Sequence, residues 1–270
     1  MFVSFIKLAG PSIVTNMLAF LCNITMIVFA GRTDDPVNVA VVGLATSCSA
    51  IMMLAFIIGL NMAQETLTSQ AFGAQNYRLC GLYLNRGSFI VLAFFTPLAV
   101  LSAVFGEQIF TSLGQDAEVS ELTATQIQML LPSVLFQGLF DLWKRWLACQ
   151  RLTFVPMVCM IIGTIVHVPM CYICVHTFDM GVIGLAVASV MKDAVLMLSV
   201  YTYARCSPQI NNVLQSIDSD SFRGWGPYLK VSLPSTAMLC SEWWAFEVLI
   251  IMGGLLGVLE LASLTIVLNV

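Results

Sequence analysis

The 270-residue sequence has very few charged residues. Aspartate, glutamate, lysine and arginine together make up 10% of it, whereas an ordinary soluble domain contains roughly 25%. Hydrophobic residues make up 59%, and the mean hydropathy is +0.92. This small number of charges cannot cover the surface of a soluble protein. The composition therefore excludes a soluble globular enzyme, a disordered chain and a nucleic-acid-binding protein. What remains is a helical protein that crosses a lipid bilayer several times.

Other signals are missing as well. No cleavable signal peptide is evident, because the first apolar run is long enough to span a membrane. There is no G-x-x-x-x-G-K-[ST] motif and hence no sign of ATP use. Cys171 and Cys174 form a single C-x-x-C within one apolar run, which favours small core residues over metal or redox chemistry. We therefore expect no metal, no cofactor and no enzymatic activity.

The charged residues divide the chain into seven apolar runs and the start of an eighth. Each of the seven is long enough for a transmembrane helix, and all are too continuous for transmembrane β-strands. The runs lie between Lys7 and Arg32, between Asp35 and Glu65, and at residues 87–106, 122–140, 152–178, 180–204 and 228–253. The eighth begins at Leu261 and has reached only ten residues at Val270. The predicted fold class is an all-α polytopic membrane protein.

Basic residues predict the orientation of these spans. With a cytoplasmic N-terminus, nine of the eleven basic residues fall on the cytoplasmic side. These nine are Lys7, Arg78, Arg86, Lys144, Arg145, Arg151, Arg205, Arg223 and Lys230. Only Arg32 falls outside, and Lys192 lies within a span. We therefore predict a multi-pass protein with its N-terminus in the cytoplasm.

A short repeat predicts two lobes. Residues 7–12 and 230–235 both read K-x-x-x-P-S, at an offset of 223 residues, and a polar segment precedes the second copy. Many transporters consist of two repeated six-helix halves, so the full protein would have about 440 residues. We predict a six-helix lobe at 1–205, a cytoplasmic linker at 206–227, and the start of a second lobe at 228–270.

Two carboxylates lie in the seventh span, within Ser241-Glu242-Trp243-Trp244-Ala245-Phe246-Glu247. A carboxylate in a bilayer core is costly and is usually functional, and burial would raise its pKa toward neutral pH, where it can exchange a proton for a cation. The faces of Trp243 and Trp244 suit an organic cation. Glu247 lies about 140° round the helix from Glu242. The alternative is that Glu242 lies near a helix end or pairs with a basic residue.

Lys192, Asp193 and His167 are further candidates for a substrate cavity. Lys192 and Asp193 are adjacent in the sixth span, and adjacent residues do not face each other on a helix. We therefore expect each to have a partner on another helix or in a water-filled cavity, either in a proton relay or in a structural ion pair. His167 lies in the middle of the fifth span, where a satisfied core histidine is the more common interpretation.

Several segments of the sequence resemble those of a known protein family. Residues 65–74 (E-T-L-T-S-Q-A-F-G-A) resemble the D-T-L-x-x-Q-A-F-G-A segment after the second span of the multidrug and toxic compound extrusion (MATE) family. Residues 242–247 (E-W-W-A-F-E) resemble the seventh-span signature of its eukaryotic branch, and 86–87 and 113–116 also fit that branch. The likeness runs from about Leu8 to the end of the chain.

The resemblance implies a twelve-helix transporter with two six-helix lobes, of which this chain would be the N-terminal portion. It implies a proton-coupled antiporter for organic cations and other xenobiotics, with Glu242 as the exchanging carboxylate and Glu247 as its partner. The chain departs from the family at Glu65, where many members have Asp, and at Asn269, where some animal members have Glu. The Lys192-Asp193 pair is not part of the family pattern.

We thus predict a secondary antiporter, incomplete in this chain, whose partners are organic cations, protons and the bilayer, with no nucleic acid. The plasma membrane is favoured over internal membranes. Two alternatives remain open: a lipid or glycan-precursor flippase of related architecture, which would favour a basic cavity for phosphate, and a truncated product without transport activity. A seven-helix receptor is disfavoured because its N-terminus would lie outside.

Overall fold

The computed structural model describes residues 2–32, 36–112, 117–210 and 212–256. Within these ranges the chain forms eight α-helices joined by short connections. They are α1 (Phe2–Ala30), α2 (Pro36–Ser49), α3 (Ala55–Gly73), α4 (Tyr77–Ser112), α5 (Ala117–Cys149), α6 (Phe154–Tyr172), α7 (Gly181–Cys206) and α8 (Trp225–Leu256). We call the ends of the bundle inner and outer according to the orientation predicted from the basic residues.

Among the described residues, five helical stretches are long and apolar enough to cross a membrane. They are Leu8–Ala30, Val37–Gly73, Tyr77–Ser112, Phe154–Thr177 and Gly181–Cys206. The two other predicted spans correspond to α5 and α8, which have 33 and 32 residues and are each about 50 Å long at 1.5 Å per residue. The all-α polytopic fold class predicted from the sequence is therefore confirmed.

Two spans contain a π-helical turn. Residues Ala50–Leu54 form such a turn between α2 and α3, so that the second span is one continuous helix from Pro36 to Gly73. Residues Ile173–Thr177 form another at the end of α6. A π-helical turn is wider than an α-helical turn and is found frequently at functional sites. The first of the two turns lies against the cavity described below.

The helices pack as a bundle in which α5 and α7 are central. Helix α7 packs against α5 and α6, while α5 also packs against α2, α3 and α4, and α1 packs against α6. The inner half contains a cluster of fully buried side chains around Leu142, Trp146 and Leu147. The outer half contains a second cluster around Val41, Val42 and Leu185. These two apolar layers enclose the polar residues of the site.

The segment between α7 and α8 is fixed to α4. Helix α7 ends at Cys206 and α8 begins at Trp225. The Arg78 guanidinium donates to a carboxylate oxygen of Asp220 at 2.8 Å, and the Arg86 guanidinium donates to the backbone carbonyl of Asp220 at 3.1 Å. The connection therefore follows the surface of the first six spans until just before α8.

Helix α8 runs antiparallel to α3 at close range. A Cβ atom added to Gly59 would lie 2.5 Å from Cα of Thr236, so the two backbones meet where α3 has no side chain. Nearer the inner end, Tyr228 is fully buried against α3 and α4, in a cluster with Leu60, Ala63 and Ile90. These contacts fix the start of α8 against the second and third spans.

Candidate functional site

A cavity of about 380 Å³, open on one side, lies among the helices of the first six spans. Helices α1, α2, α5, α6 and α7 and the first π-helical turn all contribute to its wall. Three of the residues predicted for a substrate cavity, His167, Lys192 and Asp193, line it together. The structure therefore brings side chains of the fifth and sixth spans to one polar site within the bundle.

Lys192 and Asp193 form a buried ion pair in this cavity. The Lys192 Nζ atom lies 2.9 Å from an oxygen of Asp193, and the exposed fractions of the two side chains are 10% and 1%. The expectation that these neighbours cannot face each other is therefore wrong. Although their Cα–Cβ bonds diverge, the long flexible lysine side chain bends back to the adjacent carboxylate. The predicted alternative of a structural ion pair describes this geometry.

Asp193 also has a partner on another helix, as expected. The Ser133 hydroxyl of α5 donates to its second carboxylate oxygen at 2.5 Å. A buried ion pair is tolerated only if its remaining hydrogen-bonding capacity is satisfied, and Ser133 meets part of that requirement. The serine was not singled out from the sequence. Its position inside an uncharged run, one of several hydroxyl and amide side chains there, is the signal that could have found it.

His167 is fully buried between α6 and α1. Its Nε2 atom lies 3.3 Å from the backbone carbonyl of Cys22, and Cys171 on the next turn places its Sγ atom 3.6 Å from the same nitrogen. The imidazole thus has partners within the core, and it also lines the cavity. Cys171 and Cys174 are buried free thiols.

The tryptophans of α8 lie on a different surface. The ring of Trp244 packs edge-on against Phe56 of α3, with ring centroids 5.9 Å apart, and 45% of Trp244 remains exposed. Trp243 is half-buried. No described residue of α8 lines the cavity, so the two groups of candidate residues are separate. Both contact the second span, the cavity at α2 and Trp244 at α3.

The structure describes the side chain of only one of the two glutamates of α8. Glu242 is exposed among the described residues, and both its burial and its role stay predictions. The backbone of Glu247 lies within α8, but its side chain falls outside the described residues. Asn269 and the eighth apolar run also fall outside them.

A further group of charged residues ties α3 to α5 at the inner end. The Arg145 side chain donates to Asp141 at 2.8 Å and to Glu65 at 3.1 Å, and Lys144 lies 3.1 Å from the other oxygen of Asp141. The side-chain amide of Asn61 donates to Asp141 at 3.1 Å. From the sequence, Lys144 and Arg145 serve only as topology markers and Glu65 only as a motif position, while Asn61 and Asp141 have no predicted role. Their pairing depends on the fold, since Arg145 and Glu65 are 80 residues apart.

The fold and the site define a class of protein. Six packed membrane spans contain a cavity with a buried ion pair, and a further helix that carries the same K-x-x-x-P-S sequence near its start as the first packs alongside. Repeated lobes of this kind are the architecture of secondary transporters.

Comparison with known proteins identifies the family. The MatE family matches residues 11–173, and the chain belongs to this family. Protein DETOXIFICATION 16 of Arabidopsis thaliana is 29% identical over 265 residues, which cover 97% of this chain and 54% of that protein. Multidrug and toxin extrusion protein 1 of Xenopus tropicalis is 30% identical over 265 residues, which cover 98% of this chain and 46% of that protein.

A solved structure agrees with this assignment. The crystal structure of the eukaryotic MATE transporter AtDTX14 superimposes with a TM-score of 0.92 at 24% identity, covering 99% of this chain and 60% of that one. The chain thus spans about half the length of the curated relatives it matches. The family resemblance stated from the sequence is confirmed, as is the fold of a first lobe followed by the start of a second.

Proposed function

We propose that the chain forms the first lobe and the opening helix of a secondary antiporter that exports organic cations in exchange for protons. One observation carries the proposal: a single turn of α8 holds the exposed carboxylate of Glu242 together with Trp243 and Trp244, of which Trp244 is 45% exposed. A carboxylate next to aromatic faces attracts a cation by charge and by cation–π contact. The relatives named for multidrug and toxin extrusion support a substrate class of this kind.

In this proposal the exchange of a cation for a proton depends on the single negative charge of Glu242. An ionised Glu242 holds a cation, whereas a protonated Glu242 has lost that attraction. A proton arriving from outside therefore displaces the substrate, and rocking of the two lobes carries the empty site back. We place this exchange in a multi-pass protein with a cytoplasmic N-terminus, in the plasma membrane.

The test is efflux of a fluorescent organic cation from proteoliposomes that contain the protein encoded by the complete reading frame, with an imposed pH gradient. We expect efflux to follow the gradient and to be lost in Glu242→Gln, which keeps the shape of the side chain and removes its charge. Glu121→Gln, which changes an exposed carboxylate on α5, is the matched control and should transport normally. Efflux that ignores the gradient, or that persists in Glu242→Gln, would overturn the mechanism.

The flippase alternative is not favoured by the cavity. A phosphate headgroup requires an uncompensated positive charge, but the lysine in the cavity wall is neutralised by the adjacent aspartate at 2.9 Å.

A further inference from the structure

Three polar side chains near the outer end of α5 are buried without partners. Ser120, Thr123 and Gln126 are each 0% exposed. The two hydroxyl oxygens, and both the oxygen and the nitrogen of the Gln126 amide, form no hydrogen bond to any of the described residues. Buried polar groups in folded proteins are nearly always bonded to protein or to ordered water. Four buried polar atoms without partners along one stretch of α5 therefore indicate bound water.

These side chains lead toward the cavity. They recur every three residues along α5, and Gln126 stands two turns before Ser133 on the same face, about 10 Å away. Ser133 lines the cavity and donates to Asp193. Ser49, at the end of α2, also lines the cavity and has an unpartnered buried hydroxyl. A row of polar groups thus runs from the outer end of α5 to the buried ion pair.

Ala124 and Ile127, which follow Thr123 and Gln126 along α5, lie in apolar surroundings. Ala124 packs against Gly106 of α4, whose added Cβ would lie 3.5 Å from that of the alanine. Ile127 belongs to an apolar cluster with Phe110 and Val134. Each of these two residues directly follows a polar position of the row, so the members of each pair lie at about the same depth along α5 but differ in their surroundings.

We propose that Ser120, Thr123 and Gln126 form a hydrated path that connects the outer side of the membrane with the Lys192–Asp193 pair. The titratable side chains that face the cavity from the helices around it are Cys22, His167, Lys192 and Asp193, while α2 and α5 contribute only hydroxyl, amide and apolar groups to the described lining. The inference deepens the proposed function, because such a path admits external protons to the interior of the first lobe.

Paired cysteine substitutions in the protein from the complete reading frame test the path. In proteoliposomes held without substrate or gradient, a membrane-impermeant charged thiol reagent is added from outside, and modification is read at each site by peptide mass spectrometry. Thr123→Cys is compared with Ala124→Cys, and Gln126→Cys with Ile127→Cys. The thiolate is the reacting species and forms only where water reaches it, so we expect at least about tenfold faster labelling at the two path positions.

A second measurement uses the unmutated chain. Hydroxyl radicals generated by X-rays oxidise side chains that touch buried water. Cys22 and Met26 line the cavity, although Met26 also packs in the outer apolar cluster, whereas Cys159 and Met160 pack in the inner apolar cluster and do not line the cavity. All four are at most 6% exposed. We expect oxidation of the first pair to exceed that of the second, although burial is matched.

The outcomes are distinct. Faster labelling at Thr123→Cys and Gln126→Cys from outside, with oxidation of Cys22 and Met26, supports the path. Equal labelling within each pair, or labelling from the inner side alone, overturns it, and so does a cavity as poorly oxidised as the apolar cluster. Because no transport is measured, failure of the path and failure of the antiport mechanism are distinguishable.

Discussion

Removing one member of the Lys192–Asp193 pair is expected to destabilise the fold strongly. Lys192→Met or Asp193→Asn leaves a single charge inside the bundle, and breaking a buried ion pair in this way typically costs about 3–5 kcal/mol. The free energy needed to neutralise the remaining charged group sets an independent upper limit on this loss of stability. At pH 7 an aspartate, with a pKa in water of about 3.9, is protonated at a cost of about 4 kcal/mol, and a lysine, at about 10.4, is deprotonated at a cost of about 5 kcal/mol.

The two variants should respond to pH in opposite directions. Lys192→Met leaves a buried carboxylate without its cation, and burial favours the protonated form of such a group, so stability should rise as pH falls. Asp193→Asn leaves a buried ammonium group without its anion, and burial favours the deprotonated form, so stability should rise with pH.

The assay is the apparent melting temperature of the detergent-solubilised protein from the complete reading frame, measured across pH for both single variants and the double variant. The double variant removes both charges at once and should recover most of the loss, because an uncharged pair of similar volume is often neutral for stability. If the two single variants shift in the same direction with pH, or if their losses simply add in the double variant, the pair does not act as a buried ion pair.

Three further predictions concern helix contacts, each read from the same melting assay. Gly59→Ala should lower the free energy of unfolding by about 1–3 kcal/mol, because its Cβ would meet Thr236 at 2.5 Å. Gly43→Ala is the control and should leave stability unchanged, since nothing lies within 4 Å of its added Cβ. Equal effects of the two substitutions would contradict the close contact of α3 with α8. Tyr228→Phe should leave stability unchanged or higher, since the buried hydroxyl has no partner among the described residues, and a large loss would point to a water bonded there. Arg78→Gln should change the free energy of unfolding by less than about 1 kcal/mol, because the side chains of its ion pair with Asp220 are 64% and 44% exposed. A larger loss would contradict the weak contribution expected of an exposed pair.

The order of the seven spans that the structure describes agrees with the placement of charges in the sequence. Charged residues lie in or near the connections because these meet water, so the seven apolar runs correspond to α1 through α8, with the second span divided by a π-helical turn. The turn at Ala50–Leu54 could not be predicted, since nothing in its sequence, A-I-M-M-L, differs from an ordinary helical segment. Likewise, the contact of α8 with α3 depends on Gly59 meeting Thr236, which are 177 residues apart.

The candidate residues show where a one-dimensional argument fails. Helical geometry states that adjacent side chains diverge, and on that ground Lys192 and Asp193 were expected to need separate partners. The rule applies to Cβ directions, whereas the pairing atoms lie at the end of a four-carbon chain that can fold back. Burial favours this outcome, because an unpaired charge inside the bundle costs more than the strain of a bent side chain.

The fourth span shows a different failure. Residues 122–140 were assigned to the bilayer because they are uncharged, yet they include six hydroxyl or amide side chains, and α5 is absent from the stretches that are apolar enough to cross a membrane. Absence of charge is a weaker condition than absence of polarity. A helix with such a composition is stable in a bilayer only if its polar face is turned away from lipid, toward other helices or water. The position of α5 at the centre of the bundle is thus a consequence of its polar residues, and the cavity lies where that face meets the charged turn of α7.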